Sequence, residues 1–189
     1  MARTDFVERS RLTRDALDFA DRRHAGQRRE LDDLPFVTHP VEVACLLHEA
    51  GYSDEVVAAG VLHDVVEDTD ASVEDIEARF GPRVAELVDA VTHDPAIEDE
   101  AERRAALRLQ VARAGECAAV VFAADKVSKV REMRIRAGRG RFHRTKDGGK
   151  LEHYEESLDM LADVIPGHQL VDQLRLELEA LRALPAGGV

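Results

Sequence analysis

Apolar positions recur along this chain at helical spacing and almost nowhere in strict alternation. Leu12, Ala16, Phe19 and Ala20 mark a first amphipathic helix over 10–23. A polar stretch follows, and Thr38-His39-Pro40 opens a second helix with Val41, Val43, Ala44, Leu46 and Leu47 inside it and Gly51 as its stop. Ser53 caps a third that continues to about Asp68. Ser72-x-x-Asp75 has the form of a capping box before a short helix ending at Phe80-Gly81, and Pro82 restarts the chain as far as Val91. Longer helices are predicted over 98–114 and 116–136, parted by Gly115, with a final pair over 150–165 and 168–184 around Pro166-Gly167. The run from Cys117 to Ala124 is hydrophobic enough for a buried strand, but its alanines and its helical continuation past Asp125 favour helix. One long loop is expected, the Gly- and Arg-rich segment 137–149. The pattern therefore predicts an all-α fold of about eight to ten helices, packed as one compact domain over 1–189.

Where polar residues break that pattern, chemistry gathers. The third helix carries His63-Asp64-Val65-Val66-Glu67-Asp68 among Val56, Val57, Val61 and Leu62. In an unbroken helix His63 stacks on Glu67 and Asp64 on Asp68. Burying four ionisable groups among valines is costly unless a cation or ordered water compensates them. Asp125 interrupts the apolar run 120–124 in a helix that should be largely buried, so it too needs a partner. His39, fixed beside Pro40 at a helix start, completes a set of two imidazoles and two carboxylates. His39, His63, Asp64 and Asp125 together suit Mn²⁺, Fe²⁺ or Zn²⁺ with water positions left open, which implies catalysis. Glu67 is placed to accept or orient a proton of the attacking water, and Asp68 to fix ligands or water.

Composition narrows the partners. The 189 residues carry a net charge of -12, which disfavours duplex nucleic acid and anionic lipid surfaces. Neither an apolar leader core nor a membrane-length apolar stretch is found, so a soluble cytoplasmic protein is expected. Cys45 and Cys117 form no metal-binding pair and read as small buried hydrophobes.

Five motifs in order resemble the HD-domain metal-dependent phosphohydrolases, in particular the hydrolase domain of RelA/SpoT-type proteins and the small stand-alone alarmone hydrolases. They are Ala20-x-x-x-His24-x-Gly-Gln-x-Arg29, Phe36-x-Thr-His-Pro40, Leu62-His-Asp-x-Val-Glu-Asp68-Thr-Asp, Phe80-Gly81 and Ala124-Asp125-Lys126, spread over roughly 10–165. The resemblance implies one Mn²⁺ on His39, His63, Asp64 and Asp125, water activation by Glu67 and Asp68, and removal of pyrophosphate from the 3′ position of guanosine 3′-diphosphate 5′-diphosphate. The larger members add a synthetase domain, for which this chain has no length, so a hydrolase alone is expected. Arg29 matches an arginine beside the nucleotide, and Tyr154 a tyrosine that packs against substrate.

Several positions depart from the family pattern. Glu30 replaces a basic residue, and the segment after Thr92, including Asp99, is acidic where a lysine usually nears the phosphates. Ser128 replaces a histidine or tyrosine, and Lys129 an asparagine, which puts a cation at a substrate-binding position. Compensating charge is expected from Lys129, Arg131, Arg134, Arg136, Arg139, Arg141, Arg144 and Lys146, either as a field that focuses a polyanion or as a solvated basic face. His24 reads as structural, and His48, His93, His143, His153 and His168 as surface or locally bonded residues. Two other functions remain compatible with these residues: hydrolysis of a different nucleotide, or nucleotide sensing without turnover.

Overall fold

A computed structural model describes residues 10–140 and 144–184, with backbone alone for 144–147. The described residues form helices α1 (Arg11–Arg23), α2 (Thr38–Glu49), α3 (Asp54–Leu62), α4 (Val65–Asp68), α5 (Val73–Phe80), α6 (Pro82–Val91), α7 (Glu100–Ala114), α8 (Glu116–Gly138), α9 (Arg144–Val164) and α10 (Gln169–Arg182). No strand occurs among them beyond one isolated bridge between Arg28 and Pro35. The starts follow their local chemistry. Ser10 Oγ accepts from Thr13 N to cap α1, and Ser72 and Asp75 close a reciprocal capping box at α5. Gly81, at φ 88°, joins α5 to Pro82 at the start of α6.

The alanine- and valine-rich α8 is the hub. It is buried from Ala118 through Ser128 and packs against α2, α3, α6, α7, α9 and α10. Residues without bulk let its neighbours close in on all sides, so an acid carried on α8 lies at the centre of the molecule. The α2–α3 contact is equally tight: a Cβ on Gly60 would collide with Leu47 Cδ1.

Two expectations are corrected. The third helix does not run unbroken to Asp68; it stops at Leu62, turns through His63-Asp64, and resumes at Val65. His63 Nδ1 lies 2.8 Å from Gly60 O, the carbonyl an unbroken helix would offer to the amide of Asp64. The imidazole thus competes with the backbone, and the chain turns where its reactive residues lie. Nor is 137–149 a long loop: α8 extends to Gly138, Gly140 at φ 70° turns the chain, and α9 is already helical at Arg144. His143 and Arg141 lie outside the described residues, as do the side chains of Arg144 and Lys146. Cys45 is buried as expected, whereas Cys117 is only partly so.

Candidate active site

Three segments bring the four proposed ligands together. His39 comes from the first turn of α2, His63 and Asp64 from the α3–α4 turn, and Asp125 from the middle of α8; none is more than 5 % exposed. His39 Nε2 lies 3.3 Å from His63 Nε2, 3.1 Å from Asp125 Oδ1 and 3.3 Å from Asp64 Oδ2. His63 Nε2 lies 3.0 Å from Asp64 Oδ2 and 3.4 Å from Asp125 Oδ1. Donor atoms of His39, His63 and Asp125 all fall within 4.8 Å of one another, a spacing that one ion can span.

The hydrogen bonds behind the rings decide which nitrogen faces this cluster. Gly60 O can only accept, so His63 Nδ1 carries the proton there and Nε2 of the neutral ring holds a lone pair. Ser128 Oγ donates to Glu42 Oε2 at 3.0 Å and is therefore free to accept from His39 Nδ1, also at 3.0 Å. His39 Nε2 likewise turns a lone pair inward. This is the outer support that metal-binding imidazoles use. Asp64 Oδ2 is buried without a hydrogen-bond partner among the described residues, an orphaned acceptor beside those lone pairs. A divalent cation fits this donor set.

Without an ion, the site balances its charge with protons and lysines. Burial pulls the His63 imidazole down, but Asp64 and Asp125 outweigh it and hold the ring up at about 10. Burial also works against the Asp64 and Asp125 carboxylates, yet His63, Lys126 and Lys129 keep both well below the usual range. Lys126 Nζ lies 2.7 Å from Asp125 Oδ2 and 4.2 Å from the centre of the Phe122 ring. Lys129, one turn on, reaches Asp125 Oδ1 at 2.9 Å and Asp64 Oδ1 at 3.5 Å, and those acids raise its pKa against the effect of burial.

Glu67 and Asp68 part company. Glu67 lines the small cavity next to His63, Asp64 and Asp125 as well as a larger one of about 440 Å³ with His93, Arg104 and Lys126. Asp68 lines that larger cavity and a second of about 450 Å³, and burial with the Asp64 charge raises its pKa. The second cavity lies between Arg29, Phe36, Met133 and Arg136. Lys129, Lys150 and Tyr154 line both.

Arg29 is held by Glu132 Oε2 at 3.1 Å and Thr38 Oγ1 at 3.4 Å, and its buried Nε has no partner among the described residues. Burial pushes the Tyr154 phenol up to about 12.

The basic cluster is mostly neither a focusing field nor a solvated face. Arg131 pairs with Glu42 and Glu177, Arg134 with Glu177, and Arg136 with Glu30. Their charge ties α8 to α2, α10 and the segment after α1, and among the described members of the set Lys129 and Arg136 line the second cavity. Sequence reasoning missed Arg104, Lys126, Lys150, His93 and His153 as site residues. His153 is buried, accepts from Arg108 Nη1 at 2.7 Å, and is driven down to about 2 by burial and the nearby cations Lys126, Arg108 and Arg104. His168 caps α10 and meets the Tyr52 hydroxyl at 2.9 Å, a local bonding role as expected. His24, bonded to Gln27 and stacked on Phe36, braces the Arg29 loop.

The same arrangement has relatives. Residues 16–134 match the model of the HD domain. The human guanosine-3′,5′-bis(diphosphate) 3′-pyrophosphohydrolase MESH1 is 38 % identical over 176 residues, 90 % of each chain. Its Drosophila melanogaster counterpart is 39 % identical over 130 residues, 67 % of this chain and 72 % of that one. In three dimensions, a metazoan ortholog of SpoT that hydrolyses ppGpp superposes with a TM-score of 0.77 and 29 % identity, over 93 % of this chain and 98 % of that one. A Listeria monocytogenes EGD-e protein gives 0.65 at 29 % identity over 76 % and 97 %. With its buried His-Asp turn, its aspartate on the central helix and these relatives at such coverage, the chain belongs to the HD-domain family.

Proposed function

We propose that this protein is a metal-dependent nucleotide pyrophosphohydrolase that removes pyrophosphate from the 3′ position of guanosine 3′,5′-bis(diphosphate), with Mn²⁺ as its ion. The carrying observation is the convergence of two imidazole nitrogens and two carboxylates at a junction of cation-lined cavities. That the relatives named above act on this alarmone supports the substrate.

His39, His63, Asp64 and Asp125 would hold the ion. When bound, it lowers the pKa of a coordinated water toward neutrality and offsets the charge of the phosphate under attack. Glu67, which lines the cavity shared with three of these residues, takes the water's proton. The water oxygen bonds to the 3′-linked phosphorus as the bond from that phosphorus to the 3′ oxygen breaks, and the 3′ oxygen receives a proton. Asp68, kept more protonated by burial and by Asp64, lies where the two larger cavities meet and is suited to donate it. Arg29, Met133 and Tyr154 receive the nucleoside. Lys129, Lys150 and Arg104 receive phosphates.

One observation favours a second reading. Glu30, a carboxylate paired with Arg136 at the second cavity, presents acceptors where a basic residue is usual, which suits a different base or sugar with hydrogen-bond donors. Incubating the Mn²⁺-loaded protein with guanosine tetraphosphate and a nucleoside phosphate panel, with Asp64→Ala as control, separates the two. Pyrophosphate release from the alarmone that is lost in the variant supports the first; turnover of another panel member alone supports the second; binding without turnover leaves a sensor.

A further inference from the structure

Glu67 is held from an unexpected direction. The turn after α6 brings His93 across to α4, where Glu67 Oε1 accepts a hydrogen bond from the His93 main-chain N–H at 2.7 Å and lies 2.7 Å from the ring Nδ1. Among the described residues, both of these contacts fall on the same oxygen, which leaves Oε2 as the side of the carboxylate available for a proton. Glu67 lines the small cavity with His63, Asp64 and Asp125, while His93 lines the neighbouring larger one. His93 thus holds the acid from the larger cavity.

We propose that His93 is a positioning residue for the reaction: its Nδ1–H fixes the Glu67 carboxylate so that Oε2 faces the reacting water. This rests on the pyrophosphohydrolase reading above. A carboxylate at the end of three rotatable bonds samples several orientations, and a proton acceptor a fraction of an ångström out of place is a poor base. The main-chain bond alone fixes the oxygen but not the rotation about it. A second donor to that oxygen, set on a different bond vector, fixes the plane. With Nδ1 protonated, the neutral ring is in one tautomer, Nε2 carrying the lone pair.

Three variants test this. His93→Ala keeps the main-chain bond and removes the ring; kcat is expected to fall about tenfold while KM stays within about twofold, because nothing that grips substrate is lost. His93→Asn puts an amide N–H near the Nδ1 position and recovers at least half of that loss, whereas His93→Gln, whose donor lies one carbon further out, does not. On a Glu67→Gln background His93→Ala adds no further loss, since the two act as a unit. An equal fall in His93→Asn and His93→Ala, or additive losses in the double variant, overturns the proposal.

A readout independent of turnover is the ring tautomer by nitrogen NMR. The Nδ1–H form in the unaltered protein, with a signal that shifts in Glu67→Ala, is expected; an Nε2–H ring indifferent to Glu67 overturns it. A protein silent on every nucleotide that still shows the coupled tautomer would refute the enzyme reading while leaving the His93–Glu67 contact standing.

Discussion

Lys129 sets its ammonium 2.9 Å from Asp125 Oδ1, so a side chain of the substrate cavity is also a counter-charge to a proposed ligand. It reaches Asp64 Oδ1 as well, at 3.5 Å. An ion entering the site must share both acids with this cation. Replacing Lys129 with asparagine removes the competitor, and affinity for Mn²⁺ is expected to rise about tenfold, the equivalent of about 1.4 kcal/mol. The same change removes the proposed phosphate contact, so KM for the nucleotide should rise. Calorimetric titration of the metal with steady-state kinetics checks both; unchanged metal affinity would show that the ammonium swings clear on loading.

Ser128 connects His39 to Glu42 through its hydroxyl. Ser128→Ala deletes the acceptor that fixes the His39 tautomer, and a loss of metal affinity of about 10-fold to 100-fold is expected. Thermal stability without metal should change far less, and that contrast in a melting experiment with and without Mn²⁺ is the check.

Gly60 bears on both packing and chemistry. Its missing Cβ admits Leu47, which is fully buried, and its carbonyl holds His63 Nδ1. Alanine favours helix by up to about 1 kcal/mol, but overpacking a filled core costs about 1–3 kcal/mol. Gly60→Ala is therefore expected to destabilise by about 1 kcal/mol in urea unfolding, with weakened metal binding as α3 shifts the imidazole.

His153 gives an acid limb to stability. In the fold its pKa is lowered to about 2, against 6.5 for the free side chain. The unfolded chain therefore takes up a proton first, so this contribution is complete above pH 6.5 and is lost as pH falls from there toward 2. The slope is at most about 1.4 kcal/mol per pH unit. His153→Asn keeps an acceptor for Arg108 and should flatten the difference in unfolding free energy between pH 7 and pH 5; an equally steep variant would place the acid sensitivity elsewhere.

Local signals made most helix starts legible: Ser10, Ser72 with Asp75, and Pro82 each state a boundary through a bond or ring that needs no tertiary contact. The four proposed ligands were legible too, because an ionisable side chain set inside an apolar run must be compensated by a partner or a cation. The break at His63 was not. Val65 and Val66 continue the hydrophobic pattern, and the cause is a side chain taking a backbone carbonyl, which periodicity does not register. The arginines after Asp125 were misread for a related reason: their partners Glu42, Glu177 and Glu30 lie on elements far along the chain. His93 was overlooked because its role exists only once α6 delivers it to α4.

The centre draws on positions 86 apart, His39 and Asp125, and on a turn between them. No fragment short of α8 can assemble it, so the polypeptide must be synthesised and folded through Asp125 before a cation has anywhere to settle. Meanwhile Lys126 and Lys129 neutralise the acids from within. A centre neutralised in this way is expected to mature differently from a zinc finger, where metal drives the chain to fold. The proposed ion would then join finished architecture and exchange without unravelling the protein, so supply in the surrounding medium would have a voice in which ion it carries.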